Sequence, residues 1–270
     1  MRKAVGHLPH VASYFDDILI HSASWEDHLL DLEATLQALR QHNLTGKPSK
    51  IFVGYTSIEF LGHIVEGRVV RPDETKIEKI LNIQPCTTKQ EVQSISGLLN
   101  FYRRFIPNFS DIARPLTDLT RKKSPKKVVW SARCQHSLDT LKKTLTSKPV
   151  LQLPDLSNTF FVQSDASNKA IGAALLQQHG ETLLPCYYAS RKLLDREIKY
   201  PIIEKECLAV VFALYTFSKY LLMRPFILMV DHKPLSFLRT RKTKNSRLMR
   251  WALSLQQFSF RAYCDTHQMH

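Results

Sequence analysis

The chain has 270 residues, of which 44% are hydrophobic, and its 38 Lys and Arg against 24 Asp and Glu give a formal net charge of +14 at pH 7. This length allows two or three small domains, and no apolar run approaches the roughly 20 residues of a membrane-spanning helix. The five cysteines are widely spaced and form no C-x-x-C pair, which argues against zinc ribbons and thioredoxin-like chemistry and favours free thiols.

The first notable stretch is SYFDDILIHS, residues 13–22, in which Asp16 and Asp17 stand side by side within a strand-prone run. Asp is among the residues least favoured in strands, although it suits turns. One interpretation is a β-hairpin whose tip happens to be Asp-Asp. The other is a metal site, because carboxylates on a rigid turn bind hard cations. The stretch alone leaves both interpretations open.

The residues that follow predict a helix and then short strands. Ser24 with Asp27 three positions later resembles a capping box, and leucines at helical spacing follow, which predicts an amphipathic helix. Residues 50–72 then predict short strands, broken at Gly54, Gly62 and Gly67.

From Pro72 the pattern becomes helical, and strand character returns only at about Thr159. The rest of the chain predicts three strands, a long helix over residues 199–221, a strand that ends in Asp231, a further helix and a last strand. We therefore predict an α/β (α+β) protein of three segments, at residues 1–70, 71–148 and 149–270.

A second set of carboxylates lies in the last segment. Asp165 and Asp231 each close a predicted strand, where an Asp is often only a turn residue. Glu206 lies in an apolar helix, and a Glu is almost never buried unless it is paired or binds a metal. Acids in the order strand, helix, strand can converge on a pair of Mg²⁺ ions that hydrolyse a phosphodiester. We expect these three acids to converge.

The positive charge is uneven. No Asp or Glu occurs from His232 to Cys264, against eight Lys and Arg interleaved with apolar residues, which indicates a folded basic surface for a polyanion, most simply nucleic acid. The shorter block RKKSPKK, residues 121–127, is typical of a solvated linker. The predicted contributors to the basic surface are Arg239, Arg241, Lys242, Lys244 and Arg247.

Two sets of segments are distinctive. The first set is SYFDDILIHS, WEDHL, FLGHIV, VVRPDETKIEKI, GLLNFYRRFIPNFS and ARPLTDL. The second set is SDASNKAIGAALLQQ, YASRKL, EKECLAVVFAL, VDHKPLSFL and RLMRWALSLQQF. In the first set the chain resembles the reverse transcriptase, and in the second the ribonuclease H, of gypsy-type LTR retrotransposon Pol polyproteins, and together the two sets cover nearly the whole chain.

The resemblance implies a function for each candidate site. Asp16 and Asp17 match the polymerase metal ligands of the Y-x-D-D box, with Mg²⁺ as the cofactor and Mn²⁺ as an alternative. The first segment resembles the C-terminal part of the polymerase palm and the middle segment resembles the thumb. The last segment is similar to a ribonuclease H whose first three acids are Asp165, Glu206 and Asp231. The hairpin that grips the primer end is matched by Phe60, Leu61, Gly62 and His63.

The resemblance is incomplete at both ends. The family's third polymerase carboxylate and its fingers lie upstream of Met1, and its fourth ribonuclease H acid lies beyond His270. We therefore expect a Pol fragment that is inactive in DNA synthesis. The alternative is a non-catalytic nucleic-acid-binding relic or a domesticated retroelement protein. The implied partners are primer-template, RNA–DNA hybrid and the rest of Pol, including integrase; no membrane partner is expected, and the cytoplasm or a virus-like particle is the expected location.

Overall fold

The computed structural model describes residues 1–147, 149–230 and 246–263. The chain divides into two compact units, Met1–Gly67 and Arg68–His270, so the predicted second and third segments lie in one unit. Each unit mixes helices with β-strands, which confirms the α/β fold class. No helix within the described ranges is long and apolar enough to cross a bilayer.

The first unit packs two helices against a β-hairpin. Its small core contains Ala4, Val5 and Ala38, with Val11 and Ile18 of the hairpin packed against them. The predicted helix begins as expected, because the Ser24 side chain accepts a hydrogen bond from the Asp27 N–H at 3.1 Å. The elements are α1 (Arg2–Val5), β1 (Val11–Tyr14), β2 (Asp17–Ile20), α2 (Trp25–Gln41), β3 (Ser57–Phe60) and β4 (His63–Glu66).

One strand expected in this unit is not found. The stretch before Gly54 forms a 3₁₀ turn at Pro48–Lys50 and then irregular backbone. Proline fixes its own φ near −65° and suits the first position of such a turn, which overrides the β-propensity of the apolar residues after it.

The second unit begins with helices that have well-defined caps. Asp73 caps the first of them, and Thr88 with Glu91 forms a full capping box on the next. The elements are β5 (Val69–Pro72), α3 (Glu74–Leu81), α4 (Lys89–Phe101), α5 (Phe109–Ile112), α6 (Arg114–Leu119), α7 (Ala132–Thr146) and β6 (Leu151–Gln152), the last paired antiparallel with β5.

The rest of this unit is a five-stranded mixed sheet. The three predicted strands form an antiparallel meander, β7 (Phe160–Ala166), β8 (Ala170–His179) and β9 (Thr182–Lys192). Two further strands, β10 (Phe226–Met229) and β11 (Phe260–Tyr263), run parallel to β7 and give the order β11-β10-β7-β8-β9. The helices are α8 (Asp195–Ile198), α9 (Ile202–Thr216), α10 (Ser218–Leu221) and α11 (Ser246–Leu255).

The two faces of the sheet have different coverings. On one face Val162 and Leu175 join Cys207, Val210 and Ala213 of α9 in the main hydrophobic core. The opposite face of β8 and β9 packs against α5 and the turn that precedes it. The strand alternation therefore assigns each sheet residue either to the α9 face or to the face of the middle helices.

Four cysteines of the second unit are buried free thiols: Cys86, Cys134, Cys186 and Cys207. Burial raises the pKa of Cys186 to about 11. Burial, with the nearby charges of Glu204 and Glu206, raises the pKa of Cys207 to about 12. These four thiols are therefore structural core residues, which agrees with the expectation of unpaired cysteines.

Candidate functional site

The two adjacent carboxylates lie at the tip of the β1–β2 hairpin. The last residue pair joins Tyr14 to Asp17, so the loop consists of Phe15 and Asp16 alone. Phe15 has φ +49°, a left-handed conformation that a bulky residue rarely adopts. Favoured two-residue hairpin turns place a positive φ at this first loop position, because it matches the twist of the strands. The structure thus places both acids on a tight turn, and their role as metal ligands stays a prediction.

This hairpin is covered on one face and open on the other. Val11 and Ile18 pack against the core of α1 and α2. Asp17 alternates to the opposite face, together with Tyr14, and both Asp16 and Asp17 are exposed. The carboxylates therefore stand on a supported hairpin while remaining accessible to cations or to a large ligand.

The base of the hairpin is held by a carboxylate that the sequence did not indicate. Asp31 of α2 places its Oδ2 atom 2.9 Å from His10 Nδ1, and the same oxygen accepts a hydrogen bond from Ser22 Oγ at 2.5 Å. The Ser22 hydrogen bond lowers the pKa of Asp31, outweighing the effect of burial, and His10 lowers it further. These contacts join residues 21 and 9 positions apart, so a local pattern could not reveal them.

The predicted primer-gripping residues form a second hairpin. Phe60 pairs with His63 across the two-residue loop of Leu61 and Gly62, whose φ angles are +51° and +74°. Positive φ at both positions is the type I′ pattern, which Gly62 adopts without strain. The carbonyl of Leu61 lies 2.9 Å from His63 Nδ1. The structure brings the four residues together, and their contact with a primer stays a prediction.

Asp165 lies near the end of β7 and is exposed. It pairs with Gly172 of β8, which in turn pairs with Ser190 of β9, so the three form one row across the sheet. Alternation places this row on the face opposite Val162, away from the core beneath α9. Because β7 ends at Ala166, Asp165 lies at the end of a strand, as predicted.

Glu206 lies early in α9 and is half-buried. Its helical neighbours at the i+3 and i+4 positions are Ala209 and Val210, both fully buried beneath the helix, so position 206 shares the sheet-facing side of α9. Asp231 lies outside the described residues. Strand alternation puts Asp165 on the sheet face opposite α9, so the described residues do not show Asp165 and Glu206 together. The convergence of Asp165, Glu206 and Asp231 stays a prediction.

The middle helices reach the same row of the sheet. The Ser110 N–H donates to Ser190 Oγ at 2.9 Å, and Arg103 donates to the Ser190 carbonyl. A Cβ atom at Gly172 would lie only 2.3 Å from Asn108 Oδ1, so a larger residue at this strand position requires the Asn108 side chain to move. An isolated glycine in an apolar strand often marks such a close approach, and that signal in the sequence could have revealed this contact.

Two family models match the chain. Residues 1–65 match the reverse transcriptase (RNA-dependent DNA polymerase) family, and residues 155–258 match the RNase H-like domain found in reverse transcriptase. The chain is 36% identical over 252 residues to a retrovirus-related Pol polyprotein from transposon 297 of Drosophila melanogaster, and 32% identical over 256 residues to the transposon Tf2-3 polyprotein of Schizosaccharomyces pombe. Over nearly its whole length the chain is therefore a homologue of part of these retrotransposon Pol polyproteins. Each alignment covers 93% of this chain but only 23% and 19% of those relatives, so the chain spans about a fifth of their length.

Solved structures agree with this Pol assignment at the level of the fold. A foamy viral protease-reverse transcriptase in complex with double-stranded DNA matches 100% of this chain and 48% of its own, with a TM-score of 0.85 and 24% identity. The foamy viral protease-reverse transcriptase in complex with RNA/DNA hybrid matches 99% of this chain and 37% of its own, with a TM-score of 0.82. The predicted family and fold class are both confirmed.

The candidate acids of this chain carry carboxylate oxygens, which are suitable ligands for hard cations. Carboxylate oxygens are the ligands that Mg²⁺ takes from proteins, and Mg²⁺ usually retains several waters beside one or two carboxylates. The adjacent, exposed Asp16 and Asp17 fit such a donor set. In the described part of the chain, no group of three or more His, Cys, Asp or Glu residues lies close enough to hold one ion.

The predicted nucleic-acid surface is described at only one position. Arg247 forms an ion pair with Glu204 of α9, and its guanidinium carbon lies 3.8 Å from the ring centroid of Tyr200. These contacts join α11 to α9, so Arg247 has a structural role whether or not it also contacts a phosphate. Its role in binding stays a prediction, and the other four predicted residues lie outside the described ranges: Arg239, Arg241, Lys242 and Lys244.

Proposed function

We propose that this chain supplies the metal-binding hairpin of an RNA-directed DNA polymerase together with a ribonuclease H that cleaves the RNA strand of RNA–DNA hybrids. The observation that carries the proposal is the Asp16–Asp17 pair on the open face of a tight hairpin, within the segment that matches the reverse transcriptase family. In the same proposal the chain works beside the fingers and integrase of a Pol polyprotein, in the cytoplasm or in virus-like particles.

Mg²⁺ is the proposed cofactor of both sites, with Mn²⁺ as the alternative. When bound, such a pair of cations activates the attacking oxygen and stabilises the leaving oxygen of a phosphodiester. Asp16 and Asp17 would hold the cations at the tip of the hairpin, where the short loop limits the movement of their carboxylates. The second hairpin, from Phe60 to His63, would position the primer end.

The ribonuclease site is proposed at the end of β7. Asp165, Glu206 and Asp231 would hold its cations, one acid from each of two strand ends and one from α9. Glu206 sits on a helix that is packed against the sheet along most of its length, so its backbone is held in place. Such rigid support suits a ligand whose position has to be constant.

A cleavage assay tests the nuclease half of the proposal. The purified chain is incubated with an RNA–DNA hybrid and either MgCl₂ or MnCl₂, and the RNA products are resolved by length. We expect cleavage that is stronger with Mn²⁺, because Mg²⁺ demands near-ideal octahedral geometry. Glu206→Gln should abolish it, while Glu181→Gln, an exposed acid in the β8–β9 turn, should leave it unchanged. Cleavage that survives Glu206→Gln would contradict the assignment.

A specific observation also supports a second candidate, nucleic-acid binding without turnover. The net charge of +14 attracts a polyanion whether or not catalysis occurs. The cleavage assay, run beside a binding measurement on the same hybrid, separates the two candidates. Hybrid binding without cleavage under either metal would favour a relic or a domesticated binding protein.

A further inference from the structure

One carboxylate joins both ends of the β1–β2 hairpin to helix α2. His10 immediately precedes β1 and Ser22 follows β2, and Asp31 Oδ2 contacts both side chains, at 2.9 Å and 2.5 Å respectively. Between them, the His21 N–H donates to the His10 carbonyl at 3.0 Å and closes the base of the hairpin. Asp31 therefore contacts the two strands at the point where they leave the rest of the unit.

The neighbouring acids of α2 have different partners. Asp27 bonds to Ser24 at the start of the helix, and Glu33 accepts a hydrogen bond from Gln37 one turn later. Both contacts are local to the helix and stabilise it alone. The Asp31 side chain is 18% exposed and spans from the helix to the hairpin, so its contacts constrain how the hairpin is oriented on α2.

The tip of the hairpin lies one strand length away from this base. Four residues at about 3.3 Å per residue separate them by roughly 13 Å, so a small rotation at the base is enlarged at the tip. Metal-binding and catalytic groups have to be held within roughly 0.5 Å of their working geometry. A contact that fixes the base therefore influences the carboxylates at the tip, although it does not touch them.

We propose that Asp31 is a positioning residue for Asp16 and Asp17, acting through His10 and Ser22 to hold the catalytic hairpin in one orientation on α2. This inference rests on the proposed function of the hairpin tip. It assigns to Asp31 no contact with a cation or a substrate.

The experiment compares Asp31→Ala, Asp31→Asn and a matched control in the intact chain by NMR. Amide exchange at His21 and along β1 and β2 reports on the hairpin, and paramagnetic broadening by MnCl₂ at Asp16 and Asp17 reports on cation binding. The control is Glu26→Gln, which removes a negative charge from the exposed first turn of the same helix. We expect Asp31→Ala to speed amide exchange of the hairpin about tenfold or more, because hydrogen bonds to a charged group are lost.

The affinity for Mn²⁺ should fall about 10- to 100-fold in Asp31→Ala, the range observed when outer-shell partners of metal ligands are removed. Asp31→Asn keeps one acceptor oxygen and should give intermediate values for both measurements, while Glu26→Gln should match the wild type. If Asp31→Ala fails to fold, Ser22→Ala removes one of the two contacts from the other side and should shift both measurements in the same direction.

Failure of this inference differs from failure of the proposed function. If the wild type shows Mn²⁺ broadening at Asp16 and Asp17 but no Asp31 variant alters exchange or affinity, the positioning role is wrong and the metal site stands. If exchange responds as expected but the wild type shows no Mn²⁺ broadening at the tip, the hairpin is held by Asp31 and the proposed metal site is wrong.

Discussion

Phe15 is the residue at which the first hairpin departs from ordinary backbone geometry. An L-residue in the left-handed region costs roughly 1–2 kcal/mol, and a β-branched side chain tolerates it least. Phe15 already carries this cost, so we expect Phe15→Val to destabilise the first unit by up to about 1 kcal/mol more, and Phe15→Asn to be tolerated because Asn visits this region more readily. Urea denaturation followed by NMR signals of the first unit measures the change.

The control for this prediction is Ala12→Val, which adds the same branched side chain at an exposed strand position of the same hairpin. Because strands favour valine, this variant should match or exceed the wild type in stability. Equal losses in Phe15→Val and Ala12→Val would mean that the turn geometry is not the cause.

Gly172 is confined by a single side-chain atom. Gly172→Ala places a methyl group 2.3 Å from Asn108 Oδ1, the end of a side chain that has to rotate away, and should destabilise the second unit by about 1 kcal/mol, the low end of the range for overpacking. The double variant with Asn108→Gly should recover most of this loss, because it removes the clashing atom and because glycine suits the left-handed φ of +51° at position 108. Thermal unfolding of the two single variants and the double variant gives the interaction free energy between positions 172 and 108. If the effects of the two substitutions were purely additive, the clash would not be the cause of the loss.

At the scale of single residues, the sequence indicated the candidate acids but not the residues that hold them in place. The sequence pattern indicated the Asp16–Asp17 pair because Asp is disfavoured in a strand-prone run. Asp31 was not visible, because an acid on an amphipathic helix is ordinary and its partners lie 9 and 21 positions away. Contacts of this kind depend on tertiary packing, which a local pattern does not encode.

At the scale of elements, the strands of the meander were predicted nearly in full, because their apolar runs are bounded by turn residues. The long helix was predicted too long. It begins after Pro201, since the residue before a proline avoids the helical region, and it ends at Thr216 before a separate turn of helix at Ser218. An apolar run shows that a segment is buried, but it does not show where the helix hydrogen bonds stop.

The connection from β9 to α8 depends on one nearly buried acid. Glu197 accepts two hydrogen bonds from Arg191, at 2.6 and 3.2 Å, and one from the Leu194 N–H at 2.9 Å. Burial raises the pKa of Glu197, but these hydrogen bonds and the positive charge of Arg191 outweigh it, so the pKa is lowered overall.

A lowered pKa in the folded state means that the contribution of Glu197 is complete above the unfolded pKa of about 4.3 and is lost as the pH falls through the folded value. Glu197→Gln should therefore reduce the free energy of unfolding by about 1–3 kcal/mol at pH 7. This difference in free energy between the variant and the wild type should become smaller below about pH 4. Urea denaturation of both proteins across this pH range measures the difference. A gap that stays constant down to pH 3 would show that the charge of Glu197 contributes nothing.

At the scale of the whole molecule, the excess of positive charge sets how strongly affinity depends on salt. Each phosphate contact releases counterions, so the logarithm of the affinity for an RNA–DNA hybrid should fall steeply and linearly with the logarithm of the salt concentration. Replacing Arg239, Arg241, Lys242 and Lys244 with Gln should reduce the slope by about one for each residue that binds a phosphate. Fluorescence anisotropy of a labelled hybrid over a range of KCl concentrations gives the slope.

The matched control for the salt experiment is the other basic block. Lys122→Gln with Lys123→Gln removes two exposed charges from the stretch that we interpret as a linker, and the slope should change little. An equal loss of slope per residue in both blocks would mean that the charge acts diffusely and that no defined binding surface exists.

The buried thiols have a consequence for how the whole molecule can be studied. All five cysteines lie beyond residue 67, so the first unit is invisible to a thiol reagent. A pKa of about 12 leaves the Cys207 thiol almost entirely protonated at neutral pH, and burial also blocks the reagent. In a Cys264→Ser background, the rate at which the reagent labels the four buried thiols would therefore measure how often the second unit alone opens transiently. No further reporter group has to be introduced.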